Sequence, residues 1–190
     1  MHTALKDKIM KAQIILYIAI SRDGFIADKN GGVGWLDPYH INVPVELENN
    51  YPDFFKSIDC IVMGRKTYEQ MLTFGDWPNA GKHTYVFTES SDKSPRQDIT
   101  FVSMDVKDFV HDIEKQHPGC KIWLEGGAHL VQQFYDAGLI DKYIITIIPT
   151  ELHEGITLPK EIVTANALQE VDSKNFSNGI VQKTYVNRSA

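Results

Sequence analysis

Every position of Ile14-Ile-Leu-Tyr-Ile-Ala-Ile20 is apolar. A strand without a polar face is covered on both sides, so this run predicts a central strand of a sheet. Ser21-Arg-Asp-Gly24 turns the chain, and Phe25-Ile-Ala27 resumes the strand. From Asp28 to Pro44 the chain is rich in Gly, Asn, Asp and Pro. So long an irregular stretch within a compact domain is usually functional or disordered, and Trp35 and Tyr39 favour a packed, functional loop. Residues 45–57 have helical spacing (Leu47, Tyr51, Phe54, Phe55, then Ile58), with Pro52 expected to break or kink the helix.

The pattern then alternates. Asp59-Cys-Ile-Val-Met63 predicts a short buried strand, residues 65–72 a short helix, and residues 82–88 and 98–103 two further strands. Asp105 caps a helix whose apolar positions Val106, Phe109, Val110 and Ile113 recur at i, i+3, i+4 and i+7; Pro118-Gly119 stops it. Lys121-Ile-Trp-Leu124 is a strand, residues 127–137 a helix stopped by Gly138, and residues 143–148 a strand. Weaker strands at 168–176 and 180–186, joined around Ser177-Asn-Gly179, read as a closing hairpin. Strands alternating with helices predict an α/β domain: a mostly parallel central sheet, helices on both faces and a C-terminal antiparallel hairpin.

Length supports one such unit. The chain has 190 residues, with 43% hydrophobic and 23% charged. That predicts a leader over 1–12 and a single domain over 13–190, large enough to bury roughly 70% of its unfolded surface. The formal net charge of −6 argues against a nucleic-acid or acidic-membrane partner, though not against one small phosphate-bearing ligand. Cys60 and Cys120 form neither a metal pattern nor a disulfide framework and read as buried thiols. No run approaches the ~20 apolar residues of a membrane helix, and residues 1–11 lack an apolar signal core, so a cytoplasmic location is the default.

Three strand ends carry candidate chemistry, because ligands of parallel sheets bind beyond the carboxyl ends of strands. At Met63-Gly-Arg-Lys-Thr67, Gly64 lets a ligand approach the backbone, while free N–H groups, Arg65 and Lys66 suit an anion. At Leu124-Glu-Gly-Gly-Ala128, paired glycines open a helix without the usual dinucleotide or triphosphate fingerprints. At Thr88-Glu-Ser-Ser91, hydroxyls suit a ribose or its phosphate. Metal spacing among the histidines, a serine-hydrolase elbow and a zinc-deaminase signature are all lacking.

In order and spacing, Ile18-Ala-Ile-Ser-Arg-Asp-Gly-Phe-Ile-Ala27, Met63-Gly-Arg-Lys-Thr-Tyr-Glu69 and Leu124-Glu-Gly-Gly-Ala128 resemble the dihydrofolate-reductase-like superfamily. The branch most similar is the riboflavin-biosynthesis reductase domain, RibD C-terminal-like, with its stand-alone relatives; the resemblance runs from about Gln13 to Val186. It implies a three-layer NADPH-binding reductase fold. By motif matching, Gly64, Arg65, Lys66 and Thr67 hold cofactor phosphates, with Thr88, Ser90 and Ala128 beside them. Gly126 and Gly127 match the glycine pair that a cis peptide links in dihydrofolate reductases and that packs against the pyrophosphate. Ala19 and Ile26 match positions flanking the nicotinamide, and Trp35 falls in the loop beside the active site. A homodimer is carried over from the riboflavin branch.

Two departures matter. Glu89 stands near the position for the 2′-phosphate of NADP and opposes it, which leaves NADH open beside NADPH. The catalytic carboxylate of folate reductases has no secure match; Asp37, Glu46, Glu48 and Asp53 are in range. The leading expectation is an NAD(P)H-dependent reductase that transfers a hydride to a small heterocyclic or ribosyl substrate, without a metal. Its alternative is a non-catalytic nucleotide-binding or sensor protein on the same fold. A third reading is a flavin or folate binder using a cleft between Trp35 and Phe55.

Overall fold

A computed structural model describes residues 10–41, 45–90 and 92–188, and for residues 40, 41 and 45–49 the backbone alone. The apolar run near the start forms β1 (Gln13–Ser21), with β2 (Phe25–Ala27) after the turn. The strands β3 (Cys60–Gly64), β4 (His83–Phe87), β5 (Ile99–Val102), β6 (Lys121–Gly126) and β7 (Lys142–Ile148) follow. The hairpin strands are β9 (Leu168–Asn175) and β10 (Val181–Asn187), preceded by a two-residue β8 (Ile156–Thr157). One eight-stranded sheet runs β5-β4-β3-β6-β1-β7-β10-β9. The six strands from β5 to β7 are parallel, and β10 and β9 close the sheet antiparallel.

The helices are α1 (Asp37–Ile41), α2 (Val45–Ser57), α3 (Arg65–Met71), α4 (Val106–Gln116), α5 (Ala128–Asp136) and α6 (Lys160–Thr164). Alternation along the strands sorts the core into two layers. Ile14, Leu16, Val62, Ile122 and Leu124 meet the buried faces of α4 (Phe109, Val110, Ile113) and α5 (Leu130, Val131, Phe134). On the opposite face Ile61, Met63 and Trp123 pack with Tyr68 and Met71 of α3, and with Tyr17, Phe54 and Phe55.

Four elements differ from the sequence reading. α2 runs unbroken through Pro52, where a break or kink was expected. An internal proline costs about 3 kcal/mol; Tyr51 and Phe54 offset it by packing edge-on against Tyr17 and Trp123, at centroid separations of 4.6–6.3 Å. The loop predicted over 28–44 holds a 3-10 turn at Gly34–Leu36 and the short α1. β8 pairs with β2 as a small second sheet, and α6 fills the connection to β9; both are too short to show a period. Of the leader expected over 1–12, residues 1–9 lie outside the described residues. The rest is already tied down: the Met10 carbonyl accepts from Gly119, Lys11 pairs with Asp141, and Ala12 is buried with its N–H on Glu114.

Candidate active site

The carboxyl ends of the parallel strands open into one cleft of about 1570 Å³. Single small-molecule sites are roughly 300–1,000 Å³, so this cleft has room for two ligands side by side. Ala19 of β1, Gly64 of β3, Phe87 of β4, Val102 of β5, Glu125 of β6 and Thr146 of β7 all reach it.

One end is built for an anion. The starts of α3 and α5 adjoin: a Cβ placed on Gly64 would sit 3.8 Å from the Gly127 nitrogen, and one on Gly127 would sit 3.3 Å from Thr67 Oγ1. Gly126 and Gly127 are joined by a cis peptide, and Gly126 has φ +130°, a conformation that L side chains rarely adopt. Arg65, Lys66, Thr67, Ala128 and His129 line this end. The Arg65 guanidinium is held over the Phe101 ring at 5.0 Å while its Nε donates to Glu69 at 2.7 Å; Nη1 is buried with no partner among the described residues. A buried, unspent guanidinium N–H beside a glycine cradle and a helix start fits a phosphate group. Thr88 and Glu89 continue the lining, and Ala19 and Ile26 stand on the floor.

The other end is aromatic and holds the Glu125 carboxyl. Tyr17, Tyr51 and Trp123 meet one another at centroid distances of 6.0–6.3 Å, and Glu125 follows Trp123 on the same face of β6. Burial pushes the Glu125 carboxyl up to about 7, against the opposing pull of a 2.8 Å hydrogen bond from the Asn79 amide. Asn79 is itself fully buried in the loop before β4. Tyr51 is driven to about 12, first by burial and then by the Glu125 charge, so its phenol stays protonated. At neutral pH this part of the cleft therefore holds a carboxyl that can both keep and release a proton, the property of a general acid.

Not every predicted residue is here. Ser90 lies off the cleft, because its hydroxyl turns to Asp92 at 2.7 Å and its N–H to Thr88. Trp35 packs instead against the buried cluster of Ile148, Phe176 and Ile180, while its neighbours Leu36 and Tyr39 line the cleft. Phe55 belongs to the α2 cluster under Lys82. Trp35 and Phe55 therefore do not enclose a common pocket. Asp37 is exposed at the start of α1 and Asp53 on α2, and neither lines the cleft. The side chains of Glu46 and Glu48 lie outside the described residues. The sequence reading assigned Glu125 no role, although a lone carboxylate closing the apolar run Ile122-Trp-Leu124 was the available signal.

The model of the RibD C-terminal domain matches residues 69–182. The chain is 37% identical over 178 residues to the uncharacterized protein YwjB of Bacillus subtilis (strain 168), covering 93% of this chain and 99% of that one. It is 31% identical to the uncharacterized YyaP of the same strain, over 95% and 98% of the two chains. Among solved structures, a Shewanella sp. PV-4 protein provisionally assigned to riboflavin biosynthesis superposes with a TM-score of 0.80 at 26% identity, covering 93% of this chain and 99% of that one. Dihydrofolate reductase from Enterococcus faecalis, solved with NADP(H), gives 0.69 at 18% identity over 95% of this chain and 99% of that one, which shows a shared fold. No helix among the described residues is long and apolar enough to cross a membrane.

Proposed function

Because the chain belongs to the RibD C-terminal domain family, we propose that it is an NAD(P)H-dependent reductase acting on a C=N or C=O carbon of a small heterocyclic or ribosyl substrate, of the pteridine or riboflavin-pathway pyrimidine type. The observation that carries this reading is Glu125, a carboxyl held near neutrality in the same cleft as a cradle suited to phosphate. When bound, the nicotinamide cofactor supplies the hydride.

This chain's residues do the rest. Arg65, Lys66 and Thr67, with the N–H groups at the start of α5, would hold the cofactor phosphates, and Thr88 its ribose. Ala19 and Ile26 would flank the nicotinamide. Glu125 holds a proton up to about pH 7 and gives it to the substrate nitrogen or oxygen as negative charge develops there. Asn79 fixes the direction of that carboxyl through its 2.8 Å hydrogen bond. The aromatic wall of Tyr17, Tyr51 and Trp123 excludes water and orients a flat ring. Glu125 supplies a candidate for the catalytic carboxylate, which favours the reductase over a non-catalytic sensor. NADPH is the proposed cofactor, with NADH accepted because Glu89 opposes a 2′-phosphate; a cytoplasmic homodimer accompanies the proposal.

Following NADPH oxidation with dihydrofolate and the riboflavin-pathway pyrimidine tests this reading. Turnover is expected with at least one of them, falling roughly 10²- to 10⁴-fold in Glu125→Gln while NADPH still binds. Wild-type rates in that variant, or no turnover of either compound, would overturn it.

A further inference from the structure

Resting on the reductase reading, we infer that the Tyr17 phenol is a substrate-binding donor, aimed by Gln182 and Thr146 at a carbonyl oxygen or unprotonated nitrogen of the substrate ring. Thr146 is the one polar residue in Ile144-Ile-Thr-Ile-Ile148 of β7, and it is buried, as is Gln182 of β10. Strand residues in register share a face of the sheet, and Thr146 stands beside both Ala19 of β1 and Gln182. Tyr17, two residues before Ala19, projects from that same face. Three polar groups placed among isoleucines are costly unless they bond one another.

They do so with one hydrogen left over. The Gln182 amide donates one hydrogen to Tyr17 Oη at 3.0 Å and the other to Thr146 Oγ1 at 3.1 Å. The Thr146 hydroxyl in turn bonds the Tyr17 oxygen. Burial raises the Tyr17 pKa above its ordinary value of 10, and both bonds oppose that rise, as donors to a phenol oxygen do. Both amide hydrogens and the threonine proton are then spent, and both lone pairs of Tyr17 Oη are filled. The phenol proton has no acceptor among the described residues. Tyr17 lines the cleft, so that proton is offered to a ring lying against Tyr51 and Trp123. Donors running from Gln182 through Thr146 to Tyr17 point one way, which strengthens the last bond of the chain. Glu125 follows on the neighbouring strand, since Leu16 and Leu124 pair one position earlier. The ring thus meets two proton-bearing groups: Glu125, which gives its proton up, and Tyr17, which keeps its own.

The test is a calorimetric titration in the presence of NADP⁺, using dihydrofolate and the riboflavin-pathway pyrimidine, alongside NADPH oxidation. Tyr17→Phe keeps the ring and removes the proton. It should weaken binding of the compound that wild type takes up by about tenfold, with the kinetic loss carried by KM rather than kcat and NADPH affinity retained. Gln182→Met removes both amide donors at similar volume and should weaken the same binding several-fold. In the Tyr17→Phe background it should cost nothing further, because the hydroxyl it aims is gone; an amide that only supports the sheet would add its loss in full. Wild-type affinity in Tyr17→Phe, additive losses in the double variant, or binding of neither compound by wild type overturns the inference. Tenfold weaker binding by Tyr17→Phe without any NADPH oxidation by wild type would sink the reductase reading and leave the donor standing; NADPH oxidation that Tyr17→Phe leaves untouched would do the reverse.

Discussion

Replacing Glu125 by Gln removes a carboxyl that the fold keeps protonated to about pH 7, against an ordinary value of 4.5. The folded protein therefore retains a proton that the unfolded chain gives up over this interval. Wild-type stability falls as pH rises from about 4.5 to about 7, and the penalty is constant above that. The interval corresponds to about 3 kcal/mol, at about 1.36 kcal/mol per pH unit. That figure is an upper bound, and about 2 kcal/mol is the expected effect. Gln keeps the shape and a partner for Asn79 but carries no such penalty. Relative to wild type, Glu125→Gln should gain about 2 kcal/mol between pH 4 and pH 8, about 4–8 °C in Tm for a chain of this size. Urea unfolding of both proteins across that range measures it directly. A stability difference that does not vary with pH, or one that shrinks as pH rises, would refute a buried proton on Glu125.

Three further outcomes follow from the same geometry. Asn79→Leu removes the hydrogen bond that pulls the Glu125 pKa down, so the alkaline limb of kcat should move to higher pH; a limb that stays put separates Asn79 from the acid. Gly127→Val presses branched carbon into Thr67 Oγ1, which already lies 3.3 Å from a Cβ there, and should abolish NADPH binding while circular dichroism stays native; unchanged affinity contradicts the cradle. Asp23 is held at about 2: burial works against its charge, but hydrogen bonds from Ser21 and from the His153 and Leu152 N–H groups outweigh it. That support is present above the ordinary value of 3.8 and lost as pH falls towards 2, so the stabilities of Asp23→Asn and wild type should converge in acid and separate at neutral pH.

Legibility in the sequence followed physical range. β1 was readable because a strand buried on both faces has no polar position, and α4 because its apolar residues repeat over two turns behind an Asp105 cap whose Oδ1 does accept from Lys107. The cradle was readable because Gly64 and the Gly126–Gly127 pair mark close approach of backbone within a few residues. β8 and α6 were not, since two and five residues hold no period. The proposed proton donor escaped for a different reason. Glu125 is set by burial and by Asn79, 46 residues earlier, and nothing local joins the two. Trp35 misled similarly: its loop does reach the cleft, but through Leu36 and Tyr39, while the indole turns into the Phe176 cluster.

We propose that the cleft binds a nicotinamide dinucleotide through the cradle between α3 and α5. Thermal unfolding of the wild-type protein with increasing NADPH tests it most directly. At one hundred times the dissociation constant, binding should add about 2.7 kcal/mol, about 5–11 °C in Tm at this chain length. The gain should be lost in Gly127→Val. A Tm that neither NADPH nor NADH raises would mean that the cradle holds no nicotinamide dinucleotide.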